Sequence, residues 1–226
     1  MIFKIVSVDS LIIYFGNSID EKISQNVKKA YFCIKNLMLE GIIEIIPSYT
    51  SIFISYDIFK YDYESLKSLL EKNINLDLDL DLILDEKIIT IDVYYGNEVG
   101  FDLEKISLEK NLSIENIISL HSNKIYDVYA IGFLPAFAYL GKVDEKIAVP
   151  RVSTPRKIVP KGSVAIADFQ TAIYPQQSPG GWNIIGKTAF EPFDKKLKNL
   201  SALNIGNKVK FNPISKEQFL KQGGIL

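Results

Sequence analysis

Short apolar runs and one amphipathic stretch follow each other along the start of the chain. Residues 2–8 and 11–15 are rich in Ile, Val, Phe and Tyr and flank a polar dipeptide, which predicts a hairpin of two strands. Ser18 and Glu21 have the spacing of a capping box, and apolar residues then recur at helical period up to Gly41. The pattern therefore predicts two strands and then an amphipathic helix of about five turns.

Two further apolar runs and a second helical pattern follow. Residues 42–46 and 51–56 predict strands joined by a short turn, and Asp62 can cap a helix whose leucines lie on one face. We expect residues 1–72 to form a small sheet covered on one face by two helices.

The segment 74–82 alternates apolar residues strictly with polar ones. This period of two predicts an extended strand with Asp77, Asp79 and Asp81 on one face. Neighbours on such a face lie about 7 Å apart, and no turn brings further oxygens around a cation. A solvated strand face or a domain linker is therefore favoured over a cation site.

From residue 87 onwards the chain becomes rich in short apolar runs interrupted by Gly and Pro. Residues 88–95 and 125–131 predict strands, and Asp102 and Ser113 can each cap a short helix. Beyond Gly132 the short runs predict a closed or nearly closed β barrel into which the two helices are inserted.

This change in residue pattern places a domain boundary between residues 73 and 87. We expect residues 1–82 to form a small N-terminal α/β domain and residues 83–226 to form a β-barrel domain. The predicted fold class is therefore α+β.

Composition excludes several classes of function. Twenty-six basic against 27 acidic residues give a net charge of −1, which does not suit a nucleic-acid partner. The single cysteine, Cys33, cannot form an internal disulfide, and the single histidine, His121, cannot build a multi-histidine zinc site, so we expect no metal. No segment has the pattern of a signal peptide or the roughly 18 apolar residues of a membrane helix. We expect a cytoplasmic protein with no membrane partner.

Two stretches rich in Gly and Pro carry the candidate chemistry. Residues 132–141 place three aromatic side chains in a stiff loop, although such aromatics also fit a core. Residues 149–182 include Arg151 and Arg156, each beside a proline, whose planar guanidinium groups suit a carboxylate or phosphate. An arginine at a strand end can equally be a solvated charge. The sequence Pro-Gly-Gly before Trp182 exposes backbone amides beside an apolar wall, although a turn explains it as well.

His121 lies at the end of a predicted helix and is the one side chain with an unperturbed pKa near neutrality. A lone histidine in that position is more often a capping or packing residue than a catalyst. No nucleophile is paired with it in the sequence, so no Ser–His or Cys–His mechanism can be argued. The residues alone therefore indicate an anion-accepting cleft on a β barrel.

Two runs of sequence resemble a known family. They read HSNKIYDVYAIGFLPAFAYLG and VPRVSTPRKIVPKGSVAIADFQTAIYPQQSPGGWNIIGKT. Over about residues 88–215 the chain resembles the family of the 5-oxoprolinase B subunit, also described as allophanate hydrolase subunit 1 and as a sporulation-kinase inhibitor family. The resemblance implies an N-terminal α/β domain, a cyclophilin-like β barrel, and a stable complex with a larger C-type subunit that has the same barrel.

The resemblance also implies a function. In the oxoprolinase setting an A-type subunit joins the other two for the ATP-dependent opening of 5-oxoproline to glutamate. The chain is then a non-autonomous subunit of an ATP-hydrolysing 5-oxoprolinase or a related allophanate-type amidohydrolase, with a small amide or carboxylate as substrate. The alternative is a protein inhibitor of a sporulation sensor histidine kinase, which would use an exposed surface of the barrel.

The aromatic loop and the family positions together yield the candidate site residues. His121, Arg151 and Arg156 are the candidate catalytic residues, with the arginines as anion anchors and the histidine as acid or base. The candidate substrate-binding residues are Phe133, Tyr139, Gln170, Thr171, Tyr174, Pro179, Gly180, Gly181 and Trp182.

The chain departs from the family pattern in the same region. Side chains stand where the family usually has glycine or proline, at Ala136, Ala138, Asp168 and Ala172. An added side chain matters most where the glycine had a positive φ or touched a ligand.

Overall fold

The structure, a computed structural model, describes residues 1–78, 87–197 and 200–226. Contacts divide the chain into two compact units, Met1–Asp85 and Glu86–Leu226. The predicted domain boundary at residues 82 and 83 lies outside the described residues.

The first unit is a four-stranded antiparallel sheet with two helices. Its elements are β1 Ile2–Ser7, β2 Ser10–Tyr14, α1 Glu21–Asn36, β3 Ile42–Pro47, β4 Ser51–Tyr56 and α2 Tyr63–Asn73. The strands lie in the order β1-β2-β4-β3. Leu11, Ile13, Ile52 and Ile54 point from the two central strands into a core shared with both helices. This confirms the predicted layout of a sheet covered by two helices.

The cap of α1 differs from the prediction. Asp20 precedes the helix, and its Oδ1 accepts the N–H groups of Lys22 at 2.9 Å and of Ile23 at 3.2 Å. A carboxylate there satisfies two free backbone donors and also complements the positive end of the helix. The predicted capping box at Ser18 is therefore wrong. The helix also ends earlier than predicted, just before Met38 adopts a φ of 47°.

The residues after α2 do not form the predicted strand within the described range, which ends at residue 78. Ile74 is the C-cap of α2 and is buried in the core of the first unit. Lys29 of α1 donates to the Leu76 carbonyl at 2.8 Å. This segment therefore packs back on the first helix, and its alternation of apolar and polar residues does not reflect a sheet.

The second unit contains nine strands and three helices within its described residues. Its elements are β5 Ile88–Val93, α3 Leu103–Lys110, α4 Ile114–Ser122, β6 Ile125–Ile131, β7 Ala138–Gly141, β8 Arg156–Val159, β9 Ser163–Ala167, β10 Gln170–Ile173, β11 Ser178–Gly180, β12 Asn183–Lys187, β13 Lys208–Pro213 and α5 Lys216–Lys221. As predicted, Asp102 and Ser113 immediately precede the two short helices α3 and α4.

Seven of these strands form one curved sheet in the order β12-β9-β10-β7-β6-β13-β5. Its two edges meet at Tyr94 and Lys187, which exchange two backbone hydrogen bonds of 2.8 Å. The sheet is thus a nearly closed barrel, as predicted. Leu103 and Ile106 of α3 and Ile117 of α4 pack into the same apolar core as the inward-facing strand residues. Strands β8 and β11 pair with each other outside this sheet.

Membrane-spanning helices and metal clusters are both absent from the part of the chain that the structure describes. None of its helices is long and apolar enough to cross a bilayer. None of its groupings of His, Cys, Asp and Glu side chains could hold a metal ion. Asp79 and Asp81, for which the sequence left a cation site open, lie outside the described residues.

Asp20→Ala should lower the free energy of unfolding of the first unit by about 1 kcal/mol, because two N–H groups of α1 lose their acceptor. Ser18→Ala is the matched control and should change it by less than about 0.5 kcal/mol. Urea unfolding of the full chain followed by circular dichroism measures both. Equal losses in the two variants would contradict the assigned cap.

Candidate functional site

Strands β9, β10 and β12 are buried on both faces. Thr171 and Ile173 of β10 point into the barrel, whereas Ala172 points outwards. A second apolar cluster covers this outer face and consists of Phe137, Val159, Ala165, Ala167, Ala172, Tyr174, Trp182 and Ile184. The barrel wall therefore lies between two apolar layers.

The outer layer contains a cleft of about 250 Å³. Its lining residues are Phe133, Phe137, Tyr139, Arg151, Pro155, Tyr174, Pro179, Gly180, Gly181 and Trp182. Eight of the ten are candidate site residues from the sequence, and the other two are Phe137 and Pro155. The structure thus brings most of the candidates together, and their contact with a substrate stays a prediction.

Phe137 is the centre of the aromatic side of the cleft. Its ring is buried, with 1% of the residue's surface exposed, and meets four other aromatic rings. The centroid distances are 4.9 Å to Tyr139, 5.3 Å to Tyr174, 5.4 Å to Phe133 and 5.8 Å to Trp182, all with edge-on geometry. Such interlocked rings form a rigid apolar wall. The sequence did not decide whether Phe137 is a core residue. In the structure it is buried in the outer apolar cluster and also lines the cleft.

Arg151 is the only charged side chain among the ten described lining residues. It is exposed at the cleft, and it is one of only two arginines in the chain. Burial raises the pKa of Tyr139, which Arg151 opposes. Burial likewise raises the pKa of Tyr174, against a backbone hydrogen bond from Trp182 and the charge of Arg151. Both tyrosines stay protonated at neutral pH, so the cleft offers one positive charge and two neutral hydroxyl groups.

Arg156, the second arginine, does not line the cleft. Its Nη2 donates to Oδ1 of Asp102 at 2.8 Å, and its Nη1 is buried without a hydrogen-bond partner among the described residues. The charge of Arg156 is thus paired with a buried carboxylate, so the geometry gives no support for its expected role as an anion anchor, which stays a prediction. The sequence identified Asp102 only as a helix cap, yet its side chain makes no capping hydrogen bond.

His121 lies in the main core and has no exposed surface. Its Nδ1 is 2.7 Å from the Tyr95 hydroxyl and its Nε2 is 2.9 Å from the Thr171 hydroxyl. Its ring stacks on Phe211 at a centroid distance of 4.6 Å. Burial lowers the pKa of His121 to about 3, so the ring stays neutral. The structure does not bring His121 to the cleft, and the packing alternative describes its surroundings.

Thr171 and Gln170 also lie apart from the cleft lining. Thr171 is fully buried and faces His121 across the barrel interior. The amide nitrogen of Gln170 is buried without a hydrogen-bond partner among the described residues. Neither residue is among the lining residues, so the geometry gives no support for the proposed contact of either side chain with a substrate.

The loop before β7 has an unusual backbone. Phe133 has a φ of 72° and Ala136 a φ of 63°, in the left-handed region that favours glycine. The N–H of Phe137 donates to the Leu134 carbonyl at 3.0 Å, and the N–H of Gly132 donates to the Phe137 carbonyl at 3.0 Å. These bonds hold the loop so that the Phe133 side chain lines the cleft although 61% of the residue is exposed.

Comparison with known proteins identifies the family of this chain. The family described as carboxyltransferase domain, subdomain C and D, matches residues 1–203. The chain is 36% identical to the 5-oxoprolinase B subunit of Bacillus subtilis over 220 residues, which cover 93% of this chain and 91% of the relative. It is 47% identical to the 5-oxoprolinase B subunit of Haemophilus influenzae over 123 residues, covering 54% and 58% of the two proteins. The chain is therefore homologous to the B subunit of 5-oxoprolinase over most of its length.

A solved structure shares the fold. The crystal structure of TTHA0988 superposes with a TM-score of 0.82 at 28% sequence identity. The match covers 92% of this chain but 40% of TTHA0988. In that protein the matching region is thus part of a longer polypeptide.

The second unit should lose stability in mild acid because of His121. The unfolded chain binds a proton near the ordinary pKa of 6.5, whereas the folded chain binds it only near about 3. The contribution of neutral His121 is therefore complete above the unfolded pKa and is lost as the pH falls towards the folded pKa, by up to about 1.4 kcal/mol per pH unit. Urea unfolding followed by Trp182 fluorescence at about pH 7 and pH 5 measures the loss. His121→Gln should be less stable at neutral pH but should show a smaller loss, and an identical pH dependence would contradict the explanation.

Gly180 and Gly181 should tolerate a side chain differently. A Cβ on Gly180 would lie 2.4 Å from the Tyr174 hydroxyl, whereas on Gly181 its nearest neighbour is 3.6 Å away. Gly180→Ala should therefore displace Tyr174 and shift the emission of Trp182, with a loss of stability of about 1–3 kcal/mol. Gly181→Ala, the matched control, should leave both the emission and the unfolding midpoint near those of the wild type. The same response in both variants would contradict the packing described for Tyr174.

Proposed function

Because the chain belongs to the family of the carboxyltransferase domain, subdomain C and D, we propose that it is the substrate-binding subunit of a 5-oxoprolinase. The complex would use ATP to open 5-oxoproline, a five-membered lactam that carries one carboxylate, to glutamate. The observation that carries this proposal is the cleft, which combines one guanidinium group with aromatic walls in about 250 Å³.

The size and the charge of the cleft suit such a ligand. Pockets for drug-sized ligands have volumes of about 300–1,000 Å³, so this smaller space favours a small molecule. Arg151 can bind the carboxylate through two parallel hydrogen bonds, which a lysine could not do. The lactam ring can lie against Tyr139 and Trp182, and the Tyr174 hydroxyl can donate to its carbonyl oxygen. The carboxylate, the ring and the carbonyl oxygen of 5-oxoproline thus each have a counterpart among the lining residues.

The cleft does not supply the groups that the reaction needs for proton transfer. Its ten described lining residues include no carboxylate, histidine or cysteine, and burial holds its tyrosines in the protonated form. These side chains can bind and orient a substrate and exclude water, but they offer no general base near neutral pH. The chain therefore acts as a non-autonomous subunit, and the catalytic groups come from another part of the complex.

The residues of this cleft do not fit ATP. A nucleotide triphosphate needs several cationic or backbone donors around its phosphates, and Arg151 is the only cation among the described lining residues. The sequence has no glycine-rich phosphate-binding loop. We therefore propose that ATP binds outside this cleft.

The partners in this proposal are a larger C-type subunit and an A-type subunit. The Bacillus subtilis relative is a B subunit, a description that denotes one part of an assembly. The region that matches this chain in TTHA0988 is 40% of that protein, which supports close association with further domains.

Binding of 5-oxoproline to the full chain should change the fluorescence of Trp182, which lines the cleft and is the only tryptophan. Arg151→Ala should raise the dissociation constant at least about tenfold, because hydrogen bonds to a charged group contribute about 1.5–3 kcal/mol. The same variant, mixed with the C-type and A-type subunits, should lose 5-oxoproline-dependent ATP hydrolysis at subsaturating substrate.

Lys157→Ala provides the matched control, since it removes an equal charge from an exposed neighbouring position outside the lining. It should bind 5-oxoproline like the wild type. A wild-type chain that shows no saturable fluorescence change, or an Arg151→Ala variant that binds as well as Lys157→Ala, would contradict the proposed site.

A further inference from the structure

Two side chains at the start of α3 bind the segments that form the cleft. Asp102, the residue before the helix, accepts Nη2 of Arg156 on Oδ1 at 2.8 Å and the N–H of Ile184 on Oδ2 at 2.7 Å. Lys105 donates from Nζ to Oδ1 of Asn183 at 3.1 Å. All three hydrogen bonds are long-range, joining residues 54 to 82 positions apart.

The first contact reaches the glycines of the cleft. Arg156 lies opposite Gly180 in the small sheet formed by β8 and β11. The N–H of Val152 donates to the Gly181 carbonyl at 2.8 Å in the same region. Through Arg156, the Asp102 carboxylate thus holds β8, which pairs with β11 and its cleft residue Gly180.

The hydrogen bond from Lys105 to Asn183 connects α3 to the segments that carry Trp182 and Arg151. Asn183 is fully buried and directly follows Trp182. Its Nδ2 donates to the Pro150 carbonyl at 2.8 Å, immediately before Arg151. One buried amide therefore links the residue after the aromatic wall to the residue before the anion-binding side chain.

The turn before α3 packs closely against β12, the strand that carries Ile184. The N–H of Asp102 donates to the Ile184 carbonyl at 2.9 Å. A Cβ on Gly100 would lie 2.6 Å from the Ile185 carbonyl oxygen, so a residue with a side chain does not fit there. Backbone contact, close packing and the Asp102 carboxylate all act between this turn and β12.

We propose that Asp102 is the positioning residue of the cleft, acting through Arg156 and Ile184. The hydrogen bond from Lys105 to Asn183 is a second connection between α3 and the cleft. The effect of Asp102 on substrate binding rests on the function proposed above, whereas its effect on the cleft geometry does not. Asp102 is 4% exposed and makes no capping bond to its own helix, so its carboxylate is committed to these two partners. A buried carboxylate with both oxygens engaged fixes its donors in distance and direction.

Asp102→Asn tests this role with almost no change in shape. Asparagine has one acceptor oxygen, so its NH₂ group must face either the Arg156 guanidinium or the Ile184 N–H. Acrylamide quenching of Trp182 in the ligand-free chain should increase, because the segment that carries this residue loosens. The dissociation constant for 5-oxoproline should rise about tenfold, while the fluorescence change at saturation should be kept.

Val128→Ala is the matched control for a general loss of stability. Val128 is fully buried in the main core, and its truncation should lower the unfolding midpoint without increasing the quenching of Trp182. Quenching in Asp102→Asn that is no greater than in Val128→Ala would overturn the proposal.

Lys105→Ala decides the matter if Asp102→Asn does not fold. Lys105 is exposed, so its truncation leaves the core intact but removes the bond to Asn183. Increased quenching in this variant supports the positioning network, and quenching equal to that of the wild type overturns it. Failure of the wild type to bind 5-oxoproline would refute the proposed function alone, since the quenching experiment needs no ligand.

Discussion

The burial of β9, β10 and β12 on both faces is the constraint on which the second unit depends. A barrel needs one apolar face per strand, but these strands present a second one to the outside. The outer face must then be covered, and the loop before β7, the small β8–β11 sheet and the neighbouring Tyr174 and Trp182 cover it. Where this cover is incomplete, the cleft remains. The site is therefore a consequence of how the barrel wall is shielded from water.

The sequence predicted most of the elements because their signals are local. Apolar periodicity and turn residues indicated the four strands and two helices of the first unit, and the change in texture indicated the barrel. Local signals also caused the errors. Ser18 had the right spacing for a capping box, but Asp20 lies closer to the free N–H groups. Residues 74–78 alternate like a strand, yet Ile74 and Leu76 pack in the core of the first unit without joining its sheet, which period alone cannot distinguish.

The candidate site was predicted only in part, for a different reason. The resemblance to a family marks positions but does not separate residues that touch a ligand from residues that hold the wall. Arg151 and Arg156 look alike in the sequence, each beside a proline, and only the pairing of Arg156 with Asp102 across 54 positions distinguishes their surroundings. His121 likewise became a core residue through Tyr95 and Thr171, which no spacing rule connects to it. The left-handed φ of Ala136, at a usual glycine of the family, also appears only in the fold.

A cleft lined by one cation and no carboxylate should bind the substrate and the product of the proposed reaction with different affinities. The lactam substrate carries a single negative charge, which Arg151 can balance. Glutamate at neutral pH carries two carboxylates and an ammonium group. A second carboxylate finds no second free guanidinium, because Arg156 is already bound to Asp102. Under the proposed function, the cleft should therefore bind the opened product less tightly than 5-oxoproline, because the Arg156 charge is held by Asp102 and cannot balance the second carboxylate.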